Sequence, residues 1–174
     1  MKNKKLGVKE TELLDKFIDN VKFNMFHHND LAWNAMSVVN NYTGLLRSHE
    51  LRKTDNKTIT KERMLRGAAE TLGSLLVVRI QTEGEGYECY IKYDLESYNR
   101  EPAWGISGRD IVKGDLLAGL TFFTGALVSE GYSKMSFDTG IYYLINSTFY
   151  IMEKEGISIK SVLKKNDRVF QRRI

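Results

Sequence analysis

The sequence LLVVRIQTEGEGYECYIKYDL, residues 75–95, decides the predicted fold because the hydrophobic period changes there. Residues 75–82 are apolar and rich in β-branched side chains, and two glycines follow among glutamates at 83–86. Residues 87–95 then alternate between apolar and polar side chains. Two such runs joined by a glycine-containing turn are typical of a β-hairpin. We therefore predict a hairpin over 75–95 that packs on helices, since a lone hairpin is only marginally stable in water.

Helical periodicity surrounds this stretch on both sides. Apolar residues recur at the spacing of one helix face before and after it. The predicted helices are 8–22, 31–49, 61–74, 110–129, 137–154 and 158–172. Thr60 is placed to cap the third of them,. Residues 96–110 show no period and predict a long irregular loop, a kind of segment that is often functional.

The predicted fold class is therefore mainly α with a small β-hairpin (α+β). We expect a compact, helical bundle-like single domain over 1–174, with about six helices. A chain of 174 residues with 42% hydrophobic side chains is long enough to build one core,. Cys89 is the single cysteine, which excludes an intramolecular disulfide and a cysteine zinc site within one chain,.

We expect a soluble, cytoplasmic protein without a membrane partner. The lone cysteine favours a reducing compartment. The lysines near the start have no apolar run behind them, so no secretory signal is expected,. The longest uncharged apolar runs, 116–128 and 141–152, are too short to span a bilayer,.

Charge is concentrated at the end of the sequence. Residues 154–174 hold seven Lys or Arg against Glu155 and Asp167, a net charge of +5 in a chain of +4. Within the last predicted helix the cations recur every four residues and form one ridge. The candidate nucleic-acid-binding residues are Lys160, Lys164, Arg168 and Arg172 on the ridge, with Lys165 and Arg173 beside it. Such a ridge suits nucleic-acid phosphates, and the alternative is a solvated face that maintains solubility.

A second candidate surface lies in the loop over 96–110. Its residues Tyr98, Arg100, Trp104 and Arg109 are of the types that dominate interface hot spots and stack on bases,. The alternative is that Trp104 fills the core while the arginines stay solvated. Both interpretations remain open from the sequence.

Familiar catalytic motifs are absent from the sequence. It contains no phosphate-binding glycine loop, no dinucleotide fingerprint, no HExxH and no GxSxG,. His27 and His28 are adjacent, so on a helix their rings would point about 100° apart, which does not suit one metal ion. We predict no metal site, no cofactor and, on balance, no enzymatic activity.

The last fifth of the chain resembles the C-terminal part of the all-α dUTP and dCTP pyrophosphatases. The similarity covers an apolar helix, the Glu-Gly-Ile-Ser at 155–158 and KNDRVFQR at 165–172. These enzymes bind Mg²⁺ through acidic pairs on neighbouring helices, a spacing that Glu12 and Asp15 share,. Where the family places a further acidic pair, this chain has Ser136 and Thr139, with Asp138 off register. The resemblance therefore implies the scaffold or a degenerate relative, without the catalytic residues of that region.

Our leading hypothesis is a non-enzymatic macromolecule-binding or accessory protein that contacts nucleic acid through its basic C-terminal helix. The small size and the absence of familiar motifs suggest a phage or mobile-element origin. One alternative is an all-α nucleotide pyrophosphohydrolase-like enzyme. Another is a protein-interaction module such as an inhibitor or assembly factor. A homodimer is a further hypothesis, because two helices are more apolar than a surface helix requires.

Overall fold

The structure, a computed structural model, describes residues 5–25, 31–54, 59–83, 95–96, 123–125 and 134–171. The described ranges contain five long helices: α1 (Val8–Met25), α2 (Leu31–Thr54), α3 (Lys61–Glu83), α4 (Lys134–Lys154) and α5 (Ile159–Gln171). Residues 95–96 and 123–125 are also helical. No strand occurs among the described residues, so that part of the chain is a helical bundle, as predicted, without a sheet.

Helix α3 is the centre of the bundle. It packs along α2 on one side and also contacts α4 and α5, while α5 packs against α1. Leu72, Leu75 and Leu76 of α3 are almost fully buried. Tyr42 of α2 and Phe17 of α1 complete the same core. A helix with three neighbouring helices has to be apolar around most of its circumference.

The β-hairpin predicted over 75–95 is wrong, because residues 75–83 belong to α3. Every residue from Ala68 to Ile80 is buried or half-buried, and the half-buried ones form only a narrow stripe that includes Glu70 and Ser74. With so narrow a polar stripe the helical period is weak in the sequence, and the β-branched residues then favour a strand prediction. Residues 84–94 of the predicted hairpin lie outside the described part of the chain.

The corners before α3 and α5 are formed by specific local contacts. The Thr60 side chain accepts a hydrogen bond from the Arg63 amide at 3.2 Å, which is the predicted cap of α3. Helix α4 ends at Lys154, and Gly156 two residues later has a left-handed φ of 63°. The amide of Ile157 donates to the carbonyl of Met152 at 2.8 Å, completing a Schellman motif,.

The short helical segment 123–125 packs directly on α4. The rings of Phe123 and Phe137 have centroids 5.7 Å apart. Gly140, one turn after Phe137, allows this approach, because a Cβ atom there would lie 2.6 Å from the backbone nitrogen of Phe123. The absence of a side chain at position 140 is therefore a packing requirement.

Candidate nucleic-acid interface

Helix α5 carries the predicted basic ridge, and its first turn is capped. The Ser158 hydroxyl accepts a hydrogen bond from the Ser161 amide at 3.2 Å. The buried face of α5 includes Val162, Leu163 and Asn166. These three residues face the bundle and leave the opposite side of the helix to solvent.

The lysines of the ridge differ in their surroundings. Lys164 is exposed and Lys160 is half-buried. Within the part of the chain that the structure describes, neither of these two lysines forms an ion pair. Lys165 is half-buried and its ammonium group pairs with the carboxylate of Glu62 on α3. Lys160 and Lys164 are therefore the ridge cations that remain accessible to an anion.

The other predicted ridge residues fall largely outside the described part of the chain. Arg168 lies on α5, whose helical geometry places its backbone two turns after Lys160. Its side chain, and the whole of Arg172 and Arg173, lie outside the described part of the chain. The same holds for the loop candidates Tyr98, Arg100, Trp104 and Arg109. The structure therefore does not test these two groups of residues.

The ion pair between Lys165 and Glu62 brings the start of α3 beside α5. Two further cations of that turn, Lys61 and Arg63, are exposed. The ammonium group of Lys61 lies next to the turn before α5, since a Cβ atom at Gly156 would be 3.6 Å from it. We call Lys61, Arg63, Lys160, Lys164 and Lys165 the basic end of the bundle. Lys61 and Arg63 were not among the residues predicted from the sequence.

The distribution of charge along the sequence supports the inclusion of Lys61 and Arg63 in this surface. Residues 47–66 hold seven Lys or Arg against three Asp or Glu, a net charge of +4. Residues 154–174 hold a net charge of +5, so the rest of the chain sums to −5. Two basic segments that are about ninety residues apart in the sequence meet in the fold, and the count alone could have identified the second of them.

The described acidic residues at the basic end are all paired. Glu62 pairs with Lys165, and Glu50 pairs with Lys53 at 2.8 Å. Glu155, which is 9% exposed, lies 2.6 Å from Nε of Arg52. The excess of charge at this end is therefore positive and lies on exposed side chains.

Glu155 also anchors the turn before α5 to helix α2. Its Oε1 lies 2.8 Å from Nδ1 of the buried His49. The Arg52 guanidinium additionally donates to the carbonyl of Ile59 at 2.7 Å. This network fixes the end of α2, the segment before α3 and the turn before α5 relative to one another.

A further ion pair joins two residues of α3. The exposed Arg66 donates to Glu70 at 2.8 Å, one turn away on the same helix. The hydrogen bond to Glu70 and the charge of its carboxylate raise the pKa of Arg66 above its ordinary value. Arg66 pairs within its own helix, whereas the ion pair of Lys165 joins α5 to α3, so we do not include Arg66 in the basic end.

The structure does not assemble a metal-binding carboxylate cluster from the described residues. Glu12 and Asp15 are both exposed on α1. Asp138 is engaged by the buried Arg79 of α3, with 2.5 Å between Nη1 and Oδ1. Across the described ranges, no group of three or more His, Cys, Asp or Glu side chains could hold a metal ion.

An open pocket of about 190 Å³ lies between the start of α1 and the turn before α5. Its floor is apolar and includes Phe149 and Met152. Its rim includes Glu10 and Glu96, but both carboxylates accept backbone hydrogen bonds, from Gly7 at 2.6 Å and from Leu6 at 3.1 Å respectively. Glu153 and Lys5 also line the pocket, and among the described residues its carboxylates do not form a group that could hold a metal ion.

No helix in the described ranges combines the length and hydropathy that crossing a membrane requires. Comparisons of the chain with protein-family models, with curated proteins and with solved structures find no match. The described residues define a helical bundle with one electropositive end.

Proposed function

We propose that this protein binds nucleic acid through the basic end. The observation that supports the proposal is the meeting of two basic segments, 47–66 and 154–174, at the junction of α3 and α5. Exposed cations from both segments outnumber the acidic residues there, and each described acidic residue is already paired. Phosphate groups would supply the missing negative charge.

A polyanion suits this surface better than a small anion does. The cations are spread over two helices, so they can contact several phosphates along a backbone. Such contacts release condensed counterions, and the affinity then falls steeply as salt is added. A face that only maintains solubility would show no such dependence.

The direct test is the binding of labelled single-stranded DNA, double-stranded DNA and RNA at several salt concentrations, followed by fluorescence anisotropy. We expect log K to fall linearly with log[salt], with a slope of about 0.7–0.9 per phosphate contact. The double variants Lys160→Gln/Lys164→Gln and Lys61→Gln/Arg63→Gln should each weaken binding and reduce the slope by about two contacts.

The double variant Lys9→Gln/Lys16→Gln is a matched control. Both lysines are exposed on α1, outside the basic end, so the variant removes the same charge and should retain the slope of the wild type. If the wild type shows no salt-dependent affinity for any of the three nucleic acids, the proposal is wrong. It is also wrong if all three double variants weaken binding equally, since net charge alone would then explain the effect.

A further inference from the structure

A separate feature of the molecule is an exposed face on helix α2 that carries a single charged residue. Its residues lie on one side of the helix over about five turns. They are Trp33, Met36, Asn40, Gly44, Arg47 and Leu51, and we call them the α2 face. Trp33 and Met36 are 67% and 63% exposed, and Leu51 is 42% exposed. These large apolar side chains occupy solvent-facing positions that a surface helix normally gives to charged residues.

The charge distribution along α2 is unusual for this chain. Although 28% of all residues are charged, no charged residue occurs from Leu31 to Leu46. The first one is Arg47. Protein interfaces are depleted in Lys, Glu and Asp but enriched in Trp, Met and Arg, which is the composition of the α2 face. The α2 face carries no lysine, and Arg47 is its one cation.

Gly44 provides an independent observation. It lies in the middle of α2, where glycine costs about 0.5–1 kcal/mol relative to alanine. Nothing lies within 4 Å of the position that its Cβ would occupy. The packing of a single chain therefore does not require glycine there, whereas a helix from another molecule could approach closely at that position.

We infer that the α2 face is the interface with a second copy of this chain, formed by antiparallel pairing of the two α2 helices about the level of residue 42. Trp33 and Leu51 are each nine residues from that centre, so Trp33 of one copy lies level with Leu51 of the other. Asn40 likewise lies level with Gly44 of the second copy. The face is therefore complementary to itself in this register.

The charges of the α2 face also suit a second copy. Two identical faces place no acidic or lysine side chains against each other. The two Arg47 side chains are separated by about 15 Å along the helix axis, at 1.5 Å per residue. Each Arg47 lies only about 6 Å along the axis from Trp33 of the other copy, within reach of a cation–π interaction. A partner of unrelated sequence would not require the α2 face to be complementary to itself.

The test is the molar mass of the intact chain, measured by light scattering and by sedimentation equilibrium. The wild type should change from one to two chains per particle as its concentration rises from about 1 µM to about 200 µM. Met36→Lys should weaken the dimer by about tenfold or more, because in this register it places a second cation almost level with Arg47 of the other copy. Gly44→Leu should do the same by blocking the approach of the helices.

Val8→Lys is the matched control. Val8 is 77% exposed on α1, so the substitution adds the same charge at an exposed apolar position outside the α2 face. It should leave the dimer unchanged, and all variants should keep the helical circular dichroism of the wild type. A wild type that stays monomeric over the whole range overturns the inference, as does a dimer that Met36→Lys and Val8→Lys affect equally.

Discussion

Nδ1 of His49 lies 2.8 Å from Oε1 of Glu155, and this contact joins helix α2 to the turn before α5. A carboxylate only accepts hydrogen bonds, so Nδ1 of His49 is the donor. Nε2, the other ring nitrogen, is buried and forms no hydrogen bond. The orientation of the basic end thus depends on one buried carboxylate.

Replacing Glu155 with Gln should destabilise the fold. The variant keeps the shape of the side chain but loses the negative charge that accepts hydrogen bonds from His49 and Arg52. Hydrogen bonds to charged groups contribute about 1.5–3 kcal/mol, so we expect the free energy of unfolding to fall by about 2 kcal/mol. Chemical denaturation followed by circular dichroism measures this change.

Glu50→Gln is the matched control for that substitution. The carboxylate of Glu50 also pairs with a cation, Lys53, but both side chains are exposed. Exposed ion pairs contribute about 0–1 kcal/mol, so this variant should be close to the wild type. Equal effects of the two substitutions would show that burial of Glu155 has no energetic consequence.

Arg79 and Asp138 should be strongly coupled. Arg79 is 2% exposed, donates to Asp138, and lies 5.4 Å from the centre of the Phe137 ring. A double-mutant cycle with Arg79→Met and Asp138→Asn should give a coupling energy of about 1.5–3 kcal/mol in urea denaturation. Strictly additive effects would mean that the ion pair does not contribute to stability.

How far the sequence predicts the fold depends on the environment of each helix. Helix α5 is predicted to within one residue at each end, because it is apolar on one side and charged on the other. Helix α3 is predicted correctly only to residue 74. From Leu75 onward α3 is buried by neighbouring helices on several sides. The apolar residues therefore no longer mark a single face of a helix in the sequence. Tertiary packing, which a single sequence does not display, decides that region.

The candidate site is predictable in part for a similar reason. A ridge such as Lys160 and Lys164 is a local pattern on one helix and is visible as a spacing. The contribution of Lys61 and Arg63 is not local, since it depends on the contact between α3 and α5 that Glu62 and Lys165 mark. The buried link from His49 to Glu155 spans 106 residues and has no signature in the sequence.

Gly140→Ala should destabilise the bundle. The new methyl group would lie 2.6 Å from the Phe123 backbone nitrogen, so either the segment 123–125 or helix α4 has to move. Overpacking of this kind costs about 1–3 kcal/mol. Thermal unfolding at low protein concentration should show a clear decrease in Tm.

Gly44→Ala should have the opposite effect on stability. Its methyl group meets open space in a helix, so the free energy of unfolding of the monomer should rise by about 0.5–1 kcal/mol,. A similar change in both glycine variants, in either direction, would contradict the packing described around Gly140.

Asn146→Ala should be tolerated although the residue is 1% exposed. Both polar atoms of the Asn146 amide are buried without a hydrogen-bond partner, which costs about 1–3 kcal/mol of desolvation,. Removing the amide offsets the small cavity that it leaves, so stability should be unchanged or rise by up to about 1 kcal/mol. Asn146 would have an essential partner if the variant lost more than that amount.

Ser147, the neighbouring buried residue, is the comparison because its side chain does have hydrogen-bond partners. The Ser147 hydroxyl accepts a hydrogen bond from Tyr42 at 2.5 Å and donates to the Tyr143 carbonyl at 2.8 Å. Ser147→Ala should therefore cost about 1–2 kcal/mol, because it leaves the buried Tyr42 hydroxyl without this acceptor.

Glu62→Gln should strengthen the binding of nucleic acid. Glu62 is the acidic residue between Lys61 and Arg63, and its carboxylate neutralises Lys165. Its removal frees Lys165 and takes away a charge that repels phosphate, so the affinity should rise and the salt dependence should become steeper by about one contact. Stability should change by less than about 1 kcal/mol, because Glu62 is 67% exposed,.

Glu70→Gln separates this effect from a change in net charge. Glu70 lies two turns further along α3 and pairs with Arg66. The control removes the same charge outside the basic end, so its effect on affinity and on the salt slope should be smaller than that of Glu62→Gln. Fluorescence anisotropy at matched salt concentrations compares the two. If Glu62→Gln binds no more tightly than Glu70→Gln, phosphate does not approach the junction of α3 and α5.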